Sequence, residues 1–144
     1  MIGSLQIAVM MDPFDEDSWD TTKGDHYTDL EIEGREWEEL FFNVLQAPEG
    51  QKYIDGEDIQ KYYEHQENLF KENLTDKGYP MLGRIWWMFR DTNYLPSEVH
   101  QLLAECLKLQ KKTENVYALS TLGKLIAACY EALKINSGLC FLSD

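Results

Sequence analysis

Glycine-rich phosphate loops, CxxC pairs, HExxH helices and GxSxG turns are all missing from this 144-residue chain. Their absence leaves no motif for nucleotide, zinc or serine-nucleophile chemistry. Cysteine is scarce: Cys106, Cys129 and Cys140 are an odd number without metal-ligand spacing, each among apolar neighbours. That pattern excludes a disulfide framework and suits reduced, buried thiols in a cytoplasm. Basic residues are also few, 13 against 26 acidic ones, for a formal net charge of −13. No apolar run approaches the length of a bilayer-crossing helix. The opening MIGSLQIAVMMD has neither the basic start nor the small-residue cleavage site of a secretory signal, so it is expected to belong to the fold.

What is present is a globular composition, 44% hydrophobic with 12% aromatic residues, in a length that one core can serve. Neither an internal repeat nor a low-complexity linker divides it, so residues 1–144 read as a single domain. The acidity is uneven. Residues 1–40 hold twelve acids and two bases, a net of −10, leaving fourteen acids and eleven bases, a net of −3, for the rest. Phosphate backbones and anionic lipids are repelled by such a face, which argues against nucleic acid and membrane as partners and favours a basic protein.

Taken in order, residues 4–11 alternate Leu5, Ile7, Val9 and Met11 with Ser4, Gln6, Ala8 and Met10, a strand whose second face is also partly covered. Residues 12–29 form a long acidic loop carrying Phe14, Trp19, His26 and Tyr27, and loops of that length are either functional or disordered. Its acids lack the alternation, central glycine and distant glutamate of a calcium loop, so no metal ion is expected. The three histidines, His26, His65 and His100, belong to different elements, and no cofactor is expected either. A short extended piece over residues 27–32 is placed to pair with the first strand.

Helices follow over residues 35–46, with Trp37, Leu40, Phe41, Val44 and Leu45 as the apolar face, and over about residues 56–74, with Asp55 as N-cap. The second carries Ile59, Tyr62, Tyr63, Leu69, Phe70 and Leu74, interrupted by Gln66. The aromatic stretch of residues 79–96 reads as a central helix whose core face is Leu82, Ile85, Trp86 and Phe89. Its other face carries Arg84, Trp87 and Asp91, which makes Trp87 the residue able to meet a partner. Two more helices open at Leu95-Pro96-Ser97-Glu98 and near Glu114. The first buries Val99, Leu102, Leu103, Cys106 and Leu107; the second buries Val116, Leu119, Leu122, Ile126, Cys129 and Leu133. Gly138 is placed to end the last helix, and residues 139–142 form a strand added to the first one. The predicted fold is α+β and mainly helical, about five helices with a small sheet made from the N- and C-terminal strands.

The segments LQIAV, DPFDEDSWD, LEIEGREW, YPMLGRIW, LPSEV and GLCFLSD resemble small bacterial proteins of the toxin-immunity kind. That resemblance implies a cytoplasmic, non-enzymatic inhibitor that occludes the active site of a cognate toxin. The charge reading adds a basic partner, met through Phe14, Asp15, Asp17, Trp19 and Asp20 of the acidic loop, with Trp87 as a further contact. No residue is assigned a catalytic role. Two alternatives stand beside it: a small-ligand domain or minor hydrolase with a pocket near Trp87 and Tyr94, and a module that self-associates through a hydrophobic helix face.

Overall fold

The computed structural model describes residues 3–10, 27–86 and 92–143. Strand β1 (Ser4–Met10) and strand β2 (Tyr27–Glu33) lead into α1 (Gly34–Glu38), which runs on as a π-helical segment, Glu39–Val44. Helix α2 (Ile59–Asp76), a 3-10 turn (Leu82–Arg84) and strand β3 (Thr92–Tyr94) come next. Helices α3 (Pro96–Gln110) and α4 (Val116–Lys134) and strand β4 (Gly138–Ser143) complete the order. The fold is α+β, with a four-stranded antiparallel sheet in the order β2-β1-β4-β3.

Period-two alternation builds the sheet. β1 sends Leu5, Ile7 and Val9 into the main core, while Ser4 and Ala8 on the other face are buried too. Ala8 and Cys140 sit opposite one another in the β1–β4 register and form a separate small cluster with Leu142 packed against it. β1 pairs with β2 from Ser4↔Glu33, with an irregularity between Gln6 and Ala8, and with β4 from Leu5↔Ser143 to Met10↔Gly138. The terminal strand therefore does join the first one, and β2 pairs with it as its pattern implies.

Among the described residues there are four α-helices where about five were expected, and the described part of the central segment is not one of them. Around Leu82 the chain makes a single 3-10 turn, and Thr92–Tyr94 is an edge strand. The i, i+3 spacing that reads as a helix face instead reports burial of Tyr79, Leu82, Ile85 and Trp86 along a turn. A carboxylate from another helix supplies the acceptor there: Glu105 Oε1 takes the Met81 and Leu82 amides at 3.0 Å each, and Gln101 Nε2 donates to Oε2 at 3.2 Å. Trp86 is core, as expected, at 8% exposure. Phe89 lies outside the described residues.

Two helix faces also differ from their sequence reading. α2 buries Gln66, Phe70 and Leu74 and leaves Ile59 exposed, so its first turns project beyond the core. Gln66 does not interrupt the buried stripe but belongs to it, and the N-cap is Asp58, not Asp55, accepting from the Gln60 and Lys61 amides. α4 is turned relative to the expected stripe: Ala118, Thr121, Leu122, Leu125, Ala128, Cys129 and Ala132 are inside, and Val116 is 76% exposed. Apolar residues surround this helix, so close packing through the small Ala and Thr side chains decides which face goes in. α4 also corrects the reading of apolar runs. By length and composition it reaches the range of a membrane span, although here it packs against α3 and the sheet. Asn136, at φ 52°, turns the chain out of α4 where Gly138 was expected to do so; Gly138 begins β4.

The aromatic centre of the core is Trp37. Its ring lies 4.9 Å from Phe41, 5.2 Å edge-on from Phe42 and 6.3 Å from a stacked Phe70, and Nε1 donates to the Ile85 carbonyl at 3.0 Å. One residue thus ties α1, α2 and the central turn together.

Candidate functional site

Phe14, Asp15, Asp17, Trp19, Asp20 and Trp87, the expected contact residues, all lie outside the described residues. Of the acidic first forty residues, 3–10 and 27–40 are described, and the acids among them follow residue 27. Glu31 and Glu33 are exposed on β2, the edge strand of the sheet. Glu36 turns inward. It accepts from Lys124 Nζ at 2.6 Å and from the Ser120 hydroxyl, and its Oε1 accepts the Glu33 amide at 3.1 Å. Burial raises the Glu36 pKa, but those bonds and the Lys124 charge outweigh it and hold the carboxyl below its ordinary value. Glu36 is a strut between α1 and α4, whereas Glu31 and Glu33 are exposed, Glu33 also capping the start of α1.

Tyr94 does not line an open pocket. It is fully buried, its ring meets Phe141 edge-on at 5.6 Å, and its hydroxyl donates to the Met81 carbonyl at 2.7 Å. Desolvation pushes its pKa well up. Arg84 stands over the Tyr94 ring at 4.6 Å, pairs with Glu98 at 2.6 Å and donates to the Asn93 carbonyl. Those contacts lock the central turn to β3 and α3.

A concave surface opens elsewhere, where residues 51–58 fold back on the projecting end of α2. The groove has a volume of about 340 Å³, and its walls include Lys52, Ile54, Asp58, Lys61, Tyr62 and His65. Two bonds hold the loop in place: the Gln51 amide donates to Gln66 Oε1 at 2.6 Å, and the Tyr62 hydroxyl donates to the Gln51 carbonyl at 2.6 Å. Tyr53 stands edge-on to Tyr62 at 5.3 Å. Around the groove Ile54 is 64%, Ile59 53% and Tyr53 37% exposed, a set of large apolar side chains ringed by charge. Apolar anchors within a polar rim are the composition of a protein contact surface. The sequence signal was present in the Tyr53-Ile54 pair ahead of a helix starting with Ile59, but the helical period assigned Ile59 and Tyr62 to the core.

Gly50 makes this arrangement possible. Its φ is +92°, and a Cβ added there would lie 2.7 Å from the Gln66 Oε1 that holds the loop. Gly50→Ala is expected to cost about 1–2 kcal/mol, from the left-handed backbone and the displaced acceptor together. The loss should appear as faster hydrogen exchange of the Gln51 amide, with the sheet amides unchanged. Uniform acceleration across the sheet would contradict that local assignment.

No protein-family model matches this chain, and no curated protein or solved structure matches it.

Proposed function

We propose that this is a non-enzymatic, protein-binding inhibitor of the immunity kind, acting in the cytoplasm on a basic toxin. The observation that carries the reading is the segregation of charge. A net of −10 lies in residues 1–40, and the described end of that segment carries Glu31 and Glu33 exposed on a sheet edge. Such a field accelerates encounter with a basic protein and disfavours anionic surfaces. Phe14, Asp15, Asp17, Trp19 and Asp20, with Trp87, remain the proposed contacts. Tyr53, Ile54 and Ile59 add apolar anchors on a second surface. The three buried cysteines, free of disulfides, are compatible with a reducing compartment.

The test is affinity capture at low and high salt, followed by titration of the captured protein against variants. A basic partner is expected, its affinity falling steeply with salt and falling at least tenfold in an Asp15→Asn, Asp17→Asn, Asp20→Asn triple variant. Binding that ignores both salt and the triple variant would remove the proposal. A small-ligand site is the second reading, now favoured by the groove beside Tyr62 and His65 and not by Tyr94, since a cleft of this size takes a small molecule.

A further inference from the structure

We propose that the groove between residues 51–58 and the first turns of α2 binds a small monocarboxylate with an apolar body. The proposal rests on the reading of this groove as a small-ligand site and stands apart from the basic partner.

Gln66 supplies the first observation. It lines the groove at only 7% exposure, and its Oε1 is taken by the Gln51 amide at 2.6 Å. That bond fixes which end of the side-chain amide accepts. The other end, Nε2, has no partner among the described residues. Nor is Nε2 sealed from solvent, as the unpartnered side-chain oxygens of Asn73 and Asn93 are, so it is reached through the groove. A largely buried donor is costly to leave without an acceptor, and an oxygen of a bound molecule meets that need.

The charges around Gln66 select the ligand. Lys52 and Lys61 are exposed in the same walls, and among the described residues neither forms an ion pair with Glu57 or Asp58 beside them. Asp58 is engaged instead as the α2 N-cap, its Oδ1 accepting the Gln60 and Lys61 amides at 3.0 and 3.4 Å. Two ammonium groups and an amide N–H only donate, and a carboxylate only accepts. A second negative charge is disfavoured, because Glu57 and Asp58 balance the two lysines and the chain carries −13 overall. Ile54 and the Tyr62 ring give the walls their apolar part, and about 340 Å³ holds a ring or a short aliphatic chain. The loop is already anchored by its two bonds to α2, so little ordering is lost on binding. For a ligand of about ten non-hydrogen atoms, a Kd on the order of 1 mM follows.

Phenylacetate is the probe, titrated into the isotope-labelled full chain at constant ionic strength and followed by nuclear magnetic resonance. Saturable shifts are expected at the Gln66 side-chain amide and the Gln51 backbone amide. Phenylacetamide, the neutral analogue, should bind roughly fivefold more weakly or worse, and inorganic phosphate should not compete. Gln66→Glu keeps an acceptor for Gln51 but exchanges the donor for a negative charge, and a loss of about tenfold is expected. The double variant Lys52→Met, Lys61→Met leaves the Gln51 anchor untouched and should lose a similar factor, so it decides the matter if Gln66→Glu loosens the loop. No saturable shift up to about 20 mM phenylacetate, well above the expected Kd, would overturn the proposal. Full affinity in the double lysine variant, or competition by phosphate, would do the same. Equal binding of phenylacetamide would overturn the carboxylate while leaving the groove a small-ligand site, so the two readings fail separately.

Discussion

Trp37→Ala is expected to lower the free energy of unfolding by about 3–5 kcal/mol, the largest effect of any single substitution considered. The indole is 2% exposed and touches Phe41, Phe42 and Phe70, so truncation opens a cavity walled by rings that cannot all collapse into it. It also strands the Ile85 carbonyl, which accepts from the indole nitrogen. Urea unfolding followed by circular dichroism measures the change as a lowered midpoint at constant slope. Trp37→Phe separates the two contributions, because it keeps most of the ring area and loses the hydrogen bond, at about 1–2 kcal/mol. A midpoint for Trp37→Ala within error of the wild type would mean that this ring cluster is not the centre of the core.

Glu105→Ala is expected to cost about 3 kcal/mol, although an isolated buried acid is itself unfavourable. The reason is what remains: the Met81 and Leu82 amides would be left near Tyr79 and Leu82 without their acceptor. Desolvation raises the Glu105 pKa, and bonds from Leu82, Met81 and Gln101 with the Lys108 charge offset only part of that rise. The folded state therefore binds this proton more tightly than the unfolded chain does. Its contribution to stability falls as pH rises from the ordinary value of 4.5 through the raised folded value, and is level on either side. Glu105→Gln keeps one acceptor oxygen and cannot titrate, so its unfolding free energy should lose that decline. Parallel pH profiles for wild type and Glu105→Gln would show that the carboxyl titrates alike in both states.

Strands β1, β2 and β4 were legible in the sequence, β1 because alternation of Leu5, Ile7 and Val9 leaves one arrangement that buries all three, whereas β3 falls in the stretch read as a helix. The buried positions of α3 were legible in part. Val99, Leu102 and Cys106 were expected inside, but Glu105 and Leu109 share that face while Leu103 and Leu107 are only half-buried. An acid three residues after Leu102 and four before Leu109 was the available signal for a buried carboxylate. The central turn was not legible, since the Glu105 acceptor that replaces helical bonding lies more than twenty residues away. α4 was readable as a helix but not as an orientation, because apolar residues surround it. The expected contact loop lies outside the described residues, whereas the groove at residues 51–66 was missed because helical period outweighed the fold's failure to reach that end of α2.

The register of the sheet has a consequence for synthesis. β1 leaves the ribosome well before its central neighbour β4, from which the whole of the helical part of the chain separates it. At ordinary elongation rates the wait is on the order of ten seconds, during which Leu5, Ile7 and Val9 have no β4 to pair with. Long-range closure of this kind also slows folding once the chain is complete. Until β4 emerges, β2 is the described strand that can pair with β1, so the central pairing of the sheet waits for α3 and α4 to be made.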